Sequence, residues 1–304
     1  MNFLKATRRR KRQQKEQEAL MRIETMARRL QLSQLALETE RSGVGNDLPH
    51  EIVVSLTTFD KRIENVYITI ESMMQQSVKA DRIVLCLSKQ DFSEQSIPAT
   101  LKKQQQRGLE ILFCEEDLGP YTKYYYTLEK YLDSLILTLD DDIMYPPYLI
   151  DQLNRAYEQN PEVIHCHRSH KMRFNDDGTI KPYKQWGWDH HDSTPSKDIF
   201  PTGVGGVLYF PGCLHPDALN KAAFQELCPK ADDVWLKAMS LRQGVECAQV
   251  KDHRAWSARF LTIEGTQEFS LKRQNKQSGT GNDHNIKRVF DQFQLWSTLQ
   301  SEDR

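Results

Sequence analysis

The chain has 304 residues, of which 38% are hydrophobic, and its formal net charge is −1. This length and apolar content suffice for one large domain with a substantial core. The near-neutral charge argues against nucleic acid as a partner, and no apolar run approaches the roughly 20 residues that a membrane-spanning helix needs.

The six cysteines are scattered along the chain without a CxxC pair. Several lie in apolar, strand-like runs, which favours buried free thiols in a reducing compartment over disulfides or a zinc site. No apolar segment follows the basic start, so we do not expect a secretory signal. The predicted location is the cytoplasm, with a peripheral position at the inner membrane face as an option.

Residues 1–41 differ in composition from the rest of the chain. They contain no Gly or Pro, carry eleven Lys or Arg against five Glu, and repeat apolar residues at loosely helical spacing: Leu20, Ile23, Met26, Leu30, Leu32 and Leu35. The pattern predicts one basic helix with an apolar face. Three interpretations stay open: a docking or coiled-coil helix, a helix on an anionic membrane surface, and a solvated tail. Residues 42–50 are predicted to be a linker.

From residue 51 to residue 304, strand and helix patterns alternate, which is typical of an α/β fold with a parallel sheet. The predicted strands are EIVVSL, DRIVLCLS, LEILFC, LILTL, VIHCH, GVLYFP and VECAQV. The predicted helices are IENVYITIESMMQQS, residues 101–107, YTKYYYTLEKYL, PYLIDQLNRAYEQNP, HPDALNKAAFQEL, DVWLKAMSLRQ and HNIKRVFDQFQLWSTL. Residues 168–200 are polar, aromatic and irregular, which predicts a functional loop.

Three adjacent carboxylates, Asp140, Asp141 and Asp142, directly follow the apolar strand pattern LILTL. They should therefore lie at the carboxyl end of an inner strand, where open α/β sheets bind their ligands. The strand period of two would put Asp140 and Asp142 on one side and Asp141 on the other. Like charges this close raise each other's pKa unless a cation or donor offsets them. The alternative is a solvated acidic turn that caps the next helix.

The order of the motifs resembles that of nucleotide-sugar glycosyltransferases of the GT-A fold, similar to bacterial family 2-like enzymes. The resemblance is carried by SLTTFDKRIENVYITIESMMQQS, ADRIVLCLS, DLGPYTKYYYTLEKY, LILTLDDDIMYP, TGVGGVLYFPG and ADDVWLKA, and it covers about residues 51–290. It implies a Rossmann-like, mostly parallel sheet flanked by helices. It also implies a nucleoside diphosphate sugar donor, a UDP-sugar above all, and a glycan or lipid-linked acceptor in cell-surface polysaccharide synthesis, with inversion of configuration.

The resemblance makes the three acids a DXD-type motif that holds Mn²⁺ or Mg²⁺. Asp140 would face the ribose and the metal, Asp142 would ligate the metal, and Asp141 would support the site from behind or also reach it. An oxygen-liganded divalent ion would neutralise the charge that develops on the departing diphosphate. In such chains a late histidine is often a further ligand, for which His253 and His284 are candidates. The alternative for each is a structural histidine, which is the more frequent role of a lone histidine.

Asp232 and Asp233 begin the predicted helix DVWLKAMSLRQ. An acceptor hydroxyl needs a base, and the helix dipole keeps a carboxylate at a helix N-terminus ionised. The family pattern is Glu-Asp with the second acid as base, so the resemblance implies Asp233 as the base, with Asp232 in place of the glutamate. The alternative is a helix cap with a first-turn acid.

Further residues are predicted to contact the two substrates. The glycines before a strand allow close backbone approach to a donor sugar, and indole rings stack on sugar faces or anchor a loop to the core. The predicted donor contacts are Thr57, Arg62, Lys123, Gly205 and Gly206, with Asp140 and Asp141, and the predicted acceptor contacts are Trp186 and Trp188.

Three rival functions can be weighed against this interpretation. A haloacid-dehalogenase-like phosphatase carries its Asp-x-Asp near the domain start, whereas three strand units precede it here. A nucleotidyltransferase of related fold usually opens with a Gly-rich basic loop, which SLTTFDKRIEN lacks. The nucleotidyltransferase and a non-catalytic scaffold led by the basic helix remain as alternatives.

Overall fold

The computed structural model of the chain describes residues 2–188, 192–264 and 281–300. Its strands are β1 Ile52–Thr57, β2 Arg82–Ser88, β3 Leu109–Cys114, β4 Leu135–Thr138, β5 Ile143–Met144, β6 Ile164–Cys166, β7 Ser169–Lys171, β8 Gly187–Trp188, β9 Ile199–Pro201, β10 Val207–Tyr209, β11 Cys247–Gln249 and β12 Leu261–Thr262. Its α-helices are α1 Asn2–Glu38, α2 Val66–Met74, α3 Ala99–Gln105, α4 Thr122–Lys130, α5 Leu149–Gln159, α6 Lys221–Leu227, α7 Asp232–Gln243, α8 Asn282–Gln292 and α9 Trp296–Gln300.

The central sheet has seven strands in the order β11-β6-β10-β4-β1-β2-β3. All of them are parallel except β10, which runs antiparallel to its neighbours β4 and β6. The predicted α/β class, a mostly parallel sheet flanked by helices after an N-terminal helix, is therefore confirmed. Because β10 is reversed, the segment that enters it lies at the same sheet edge as the segment that leaves β4.

The core follows from the two-residue period of the strands. In β1, Ile52, Val54 and Leu56 lie in the large apolar cluster that also contains α2 and the apolar face of α5. Val53 points to the other face, into a smaller cluster with Val84 of β2. Both faces of β1 are thus buried, as expected for an inner strand of a parallel sheet.

The N-terminal helix α1 is confirmed, and its C-terminal part packs on the domain. Leu32 and Ala36 are fully buried, and Leu32 contacts a cluster with Ile68 of α2. The Ser33 and Tyr67 hydroxyls lie 3.1 Å apart, which adds a polar contact to the same interface. Within the described residues, no helix combines the length and apolarity needed to cross a bilayer.

The segment predicted as a linker lies against the domain. The Gly43 amide donates to the Arg107 carbonyl at 2.8 Å, and the Asn46 side chain donates to the Lys79 carbonyl at 2.8 Å. A Cβ on Gly43 would lie 2.3 Å from Cγ of Met74, so only glycine fits there without a shift of that side chain. The position of α1 is therefore fixed through this segment as well as through Leu32.

Three local features of the structure differ from what the sequence patterns predicted. Residues 168–200, expected as an irregular loop, contain a three-stranded antiparallel sheet in the order β8-β7-β9. Strand β12 pairs with β5 directly after the three acids. The predicted last helix is divided into α8 and α9 around Gln294, whose φ is 54°. Strands of two or three residues are too short to show a period, so their partners decide whether they form.

A buried ion pair joins α2 to the end of α3. The two terminal guanidinium nitrogens of Arg107, Nη1 and Nη2, contact the Glu71 carboxylate at 2.7 and 2.9 Å, and both side chains are buried. Gln75 and Gln104 also donate to this carboxylate, at 2.8 and 3.0 Å. Its oxygens are thus well supplied with donors, as a buried charge requires.

Arg107→Met should lower the free energy of unfolding by roughly 3–5 kcal/mol, because it leaves the Glu71 carboxylate buried without its cation. Arg82→Met is the matched control: Arg82 pairs with Glu51 at a half-exposed position, where such a pair contributes about 0–1 kcal/mol. Urea denaturation measures both. Equal losses in the two variants would contradict the assigned role of Arg107.

Candidate active site

Five carboxylates from two distant segments meet at one edge of the sheet. Asp140, Asp141 and Asp142 follow β4, and Asp232 and Asp233 form the first turn of α7. We call these five residues the carboxylate cluster. The segment that leaves β1, the start of α4 and the segment that enters β10 complete the surroundings of the cluster.

Arg62, from the segment after β1, binds the second and third acids. Its guanidinium donates to Asp141 at 2.5 Å and to Asp142 at 3.1 Å, and the Thr58 hydroxyl donates to Asp141 at 2.6 Å. Burial raises the pKa of Asp141 above its ordinary value, although Arg62 and Thr58 favour the charged form. The strand period predicted that Asp140 and Asp142 share a side. The acids instead lie in a turn beyond β4, where the Arg62 guanidinium contacts both Asp141 and Asp142.

Lys123, the second residue of α4, binds the first acid and joins the two segments. Its buried ammonium lies 2.9 Å from Asp140 and 3.1 Å from Asp232. The Ser55 hydroxyl of β1 donates to the Lys123 carbonyl and so fixes the start of α4 over the strand. Burial alone would lower the pKa of Lys123, but the carboxylates of Asp140, Asp232 and Asp233 raise it well above its ordinary value. The ammonium is therefore held in its charged form.

Asp233 is bound from the segment that enters β10. The Gly203 amide donates to the Asp233 carboxylate at 2.9 Å. A Cβ on Gly203 would lie 3.0 Å from Asp233 Oδ1, 3.3 Å from Lys123 Nζ and 3.6 Å from Asp140 Oδ1. Burial first, and then the charge of Asp232, raise the pKa of Asp233 to about 8. Asp233 can thus hold a proton near neutral pH.

Gly205 and Gly206, which were predicted to contact the donor, allow the close packing and the backbone conformation of this segment. A Cβ on Gly205 would lie 2.8 Å from the Arg168 amide nitrogen. Gly206 has a φ of 82°, a conformation that favours glycine. Gly203 is the glycine whose missing side chain leaves room beside the cluster. The sequence pattern included Gly203 but gave no reason to choose it over its neighbours.

Tyr145 is a site residue that sequence reasoning missed. It is fully buried, its hydroxyl accepts from the Asp140 amide at 3.0 Å, and it donates to the Val204 carbonyl at 3.3 Å. It therefore ties the acidic turn after β4 to the glycine segment before β10. An aromatic residue beside a Pro-Pro pair was the available signal, but it points equally to ordinary packing.

Several predicted residues lie apart from the cluster contacts. The Thr57 hydroxyl donates to the Cys86 carbonyl at 2.8 Å, so it is used within the sheet. His253 and His284 have exposed side chains, and neither contacts the cluster in the described part of the chain. Their predicted metal binding stays a prediction.

The two predicted acceptor tryptophans differ in exposure. Trp186 is 3% exposed, donates to the Lys181 carbonyl at 2.8 Å and packs on Phe200. Trp188 is 51% exposed, and its ring centroid lies 4.4 Å from that of His170. Only Trp188 of the two therefore offers a ring face to an acceptor sugar, while Trp186 anchors β8. Acceptor binding stays a prediction for both.

The donor set suits a divalent metal ion. Among the described residues, no group of three or more His, Cys, Asp or Glu side chains forms a complete metal site. Magnesium in proteins, however, is commonly held by one or two carboxylates together with substrate phosphates. In the described part of the chain, the ion pairs of the five acids involve two cations, Arg62 and Lys123. Asp140 and Asp142 are the acids that could hold such an ion, and in the structure Asp140 pairs with Lys123 and Asp142 with Arg62.

Comparison with known proteins yields distant structural likenesses. No family model and no curated protein matches the chain. A mannosyltransferase from Pyrobaculum calidifontis in complex with GDP-Man and Mn²⁺ is similar over 90% of this chain and 74% of its own, at 12% identity and a TM-score of 0.47. A CMP:2-keto-3-deoxy-manno-octonic acid synthetase in complex with CTP is similar over 66% of this chain and 90% of its own, at 13% identity and a TM-score of 0.37. The functional assignment therefore rests on the site itself.

Lys123→Met should lower the free energy of unfolding by roughly 3–5 kcal/mol, since it leaves three carboxylates facing one another without the ammonium. Adding Asp232→Asn should recover part of the loss, because one of these charges disappears. Lys89→Met, which removes an exposed lysine paired with Glu115, is the control. A double variant less stable than Lys123→Met alone, by urea denaturation, would contradict the assigned role of Lys123.

Asp233→Asn should raise the melting temperature, increasingly so at higher pH. The folded-state pKa of Asp233, about 8, lies above the ordinary value of 3.8. Asp233 therefore does not reduce the free energy of unfolding below about pH 4, and it reduces this free energy progressively as the pH rises to about 8. Asparagine cannot ionise and avoids this loss. Thermal melts at about pH 5 and about pH 8.5 measure the difference. A variant whose advantage does not grow with pH would refute the raised pKa.

Proposed function

We propose that the chain is a GT-A-type, metal-dependent glycosyltransferase that moves a sugar from a nucleoside diphosphate sugar to a glycan or lipid-linked acceptor. One observation carries the proposal: the acids after β4 and the acids of α7 share a single network through Lys123. A transferase of this kind needs one carboxylate group for the metal and donor and a second for the acceptor. The cluster supplies both at one sheet edge.

On the donor side, Asp140 and Asp142 would hold Mn²⁺ or Mg²⁺, which when bound neutralises charge on the diphosphate leaving group. Arg62 and Thr58 bind Asp141, and Arg62 also contacts Asp142, so these contacts fix the turn that carries the proposed metal-binding acids. Lys123, with its charge secured by the acids around it, would attract the donor phosphates. A UDP-sugar is the donor we propose to test first.

On the acceptor side, Asp233 would take the proton from the attacking hydroxyl. A base works best when its pKa lies near the working pH, and a pKa of about 8 meets this condition. The Gly203 amide fixes the carboxylate, so that one oxygen is held and the other can face the acceptor. Trp188 would stack against the acceptor sugar. We propose inversion of configuration and a cell-surface polysaccharide as the product.

The proposal is tested by incubating the protein with UDP-, GDP- and CMP-sugars, with and without Mn²⁺, and measuring nucleotide release and donor binding. Asp142→Asn should lose metal-dependent binding and release. Asp233→Asn should bind the donor as before but lower transfer by about 10²–10⁴-fold, the usual contribution of a general base. Asp151→Asn, which changes a surface acid of α5 paired with Arg155, should leave both unchanged.

Two outcomes would contradict parts of the proposal. Full turnover by Asp233→Asn would exclude Asp233 as the base while leaving the transferase function in place. Release of pyrophosphate from a nucleoside triphosphate and a sugar phosphate, without any sugar transfer, would instead identify a nucleotidyltransferase that uses the same metal-binding acids.

A further inference from the structure

Helix α1 has two apolar faces, of which the domain covers one. Leu32 and Ala36 are buried against the domain. At 100° per residue, Ile23, Leu30 and Leu37 lie on the opposite side of the helix. We call the side that carries Leu20, Ile23, Ala27, Leu30 and Leu37 the outer face.

The outer face is exposed along its whole length. Leu20, Ile23 and Leu30 are between 64% and 68% exposed, and Leu37 is 53% exposed. Their spacing of three and then seven residues keeps them on one side of the helix for about 25 Å at 1.5 Å per residue. An exposed line of large aliphatic side chains of this length is unusual on a solvated helix and marks a contact surface.

The N-terminal part of α1 is basic. Arg9 and Arg12 lie on the same side of the helix as Ile23, as does Glu16, which pairs with Arg12 at 2.8 Å, and Arg10, Lys11 and Lys15 are exposed on the other sides. Residues 1–41 contain eleven of the 41 Lys and Arg but five of the 42 Asp and Glu. The rest of the chain is correspondingly acidic. An anionic surface would therefore attract this helix and not the domain behind it.

We propose that the outer face of α1 binds an anionic lipid bilayer surface. A helix at such an interface buries its apolar side chains at the boundary of headgroups and acyl chains while its basic residues meet the lipid phosphates. The domain packs on the opposite side of α1 and does not obstruct this contact. Parallel pairing with a second copy through the outer face is disfavoured, because it would bring the two basic segments together.

Co-sedimentation of the full chain with vesicles tests the proposal. Vesicles of phosphatidylcholine with phosphatidylglycerol should bind the protein, less so as salt rises, and vesicles of phosphatidylcholine alone should not. Ile23→Glu should lower the bound fraction by about tenfold, because it places a charge in the apolar boundary. Met21→Glu is the matched control: Met21 is also exposed, at 41%, but lies about 200° around the helix from Ile23.

The control variant should bind as the unchanged chain does, and a melting curve shows whether each variant is folded. Equal loss in both variants would overturn the proposal, as would equal binding to both kinds of vesicle. Analytical ultracentrifugation of the same samples completes the test. A dimer that Ile23→Glu dissociates, without vesicle binding by the unchanged chain, would replace the bilayer with a second copy of the chain.

Discussion

The ion pairs of Lys123 connect two parts of the chain that are more than ninety residues apart. One carboxylate comes from the turn after β4 and the other from the first turn of α7, and the same buried ammonium contacts both. The Ser55 hydroxyl in β1 donates to the Lys123 carbonyl, so the central sheet positions the residue that carries the ammonium. Without that cation, the acids would repel one another in a partly desolvated site. The site and this edge of the fold therefore depend on the same contact.

The carboxylate cluster lowers the stability of the folded protein, which is a property expected of a functional site and not of a purely structural one. Burial and like charge raise the pKa values of Asp141, Asp232 and Asp233, which means that the folded protein disfavours their charged forms. The pair formed by Arg107 and Glu71 elsewhere in the fold has one cation for one carboxylate. In the described part of the chain, the ion pairs of the five clustered acids involve two cations, Arg62 and Lys123. Carboxylates whose pKa values are raised by burial and like charge are typical of functional sites.

The N-terminal helix and the carboxylate cluster are separate features of the molecule. Helix α1 contacts α2 and α3, while the carboxylate cluster is built from the segments around β1, β4, β10 and α7. The segment after α1 is hydrogen-bonded to the domain, which fixes the helix with its outer face exposed. A bilayer contact through that face would leave the carboxylate cluster unaltered, and for the proposed transferase it would place the site near a lipid-linked acceptor. The two proposals can consequently fail independently.

Local sequence patterns were sufficient to predict the α/β class, the seven strands of the central sheet and the acids after β4, because apolar strands and the carboxylates that follow them are short-range features. They also singled out Asp232 and Asp233 as acids at a helix start. Tertiary structure alone decided that β10 runs antiparallel, which brings Gly203 beside these acids. It likewise decided that Lys123 lies between them and that Tyr145 joins the two segments. These relations link residues far apart in the chain, and no periodicity or motif encodes which distant group a buried side chain will meet.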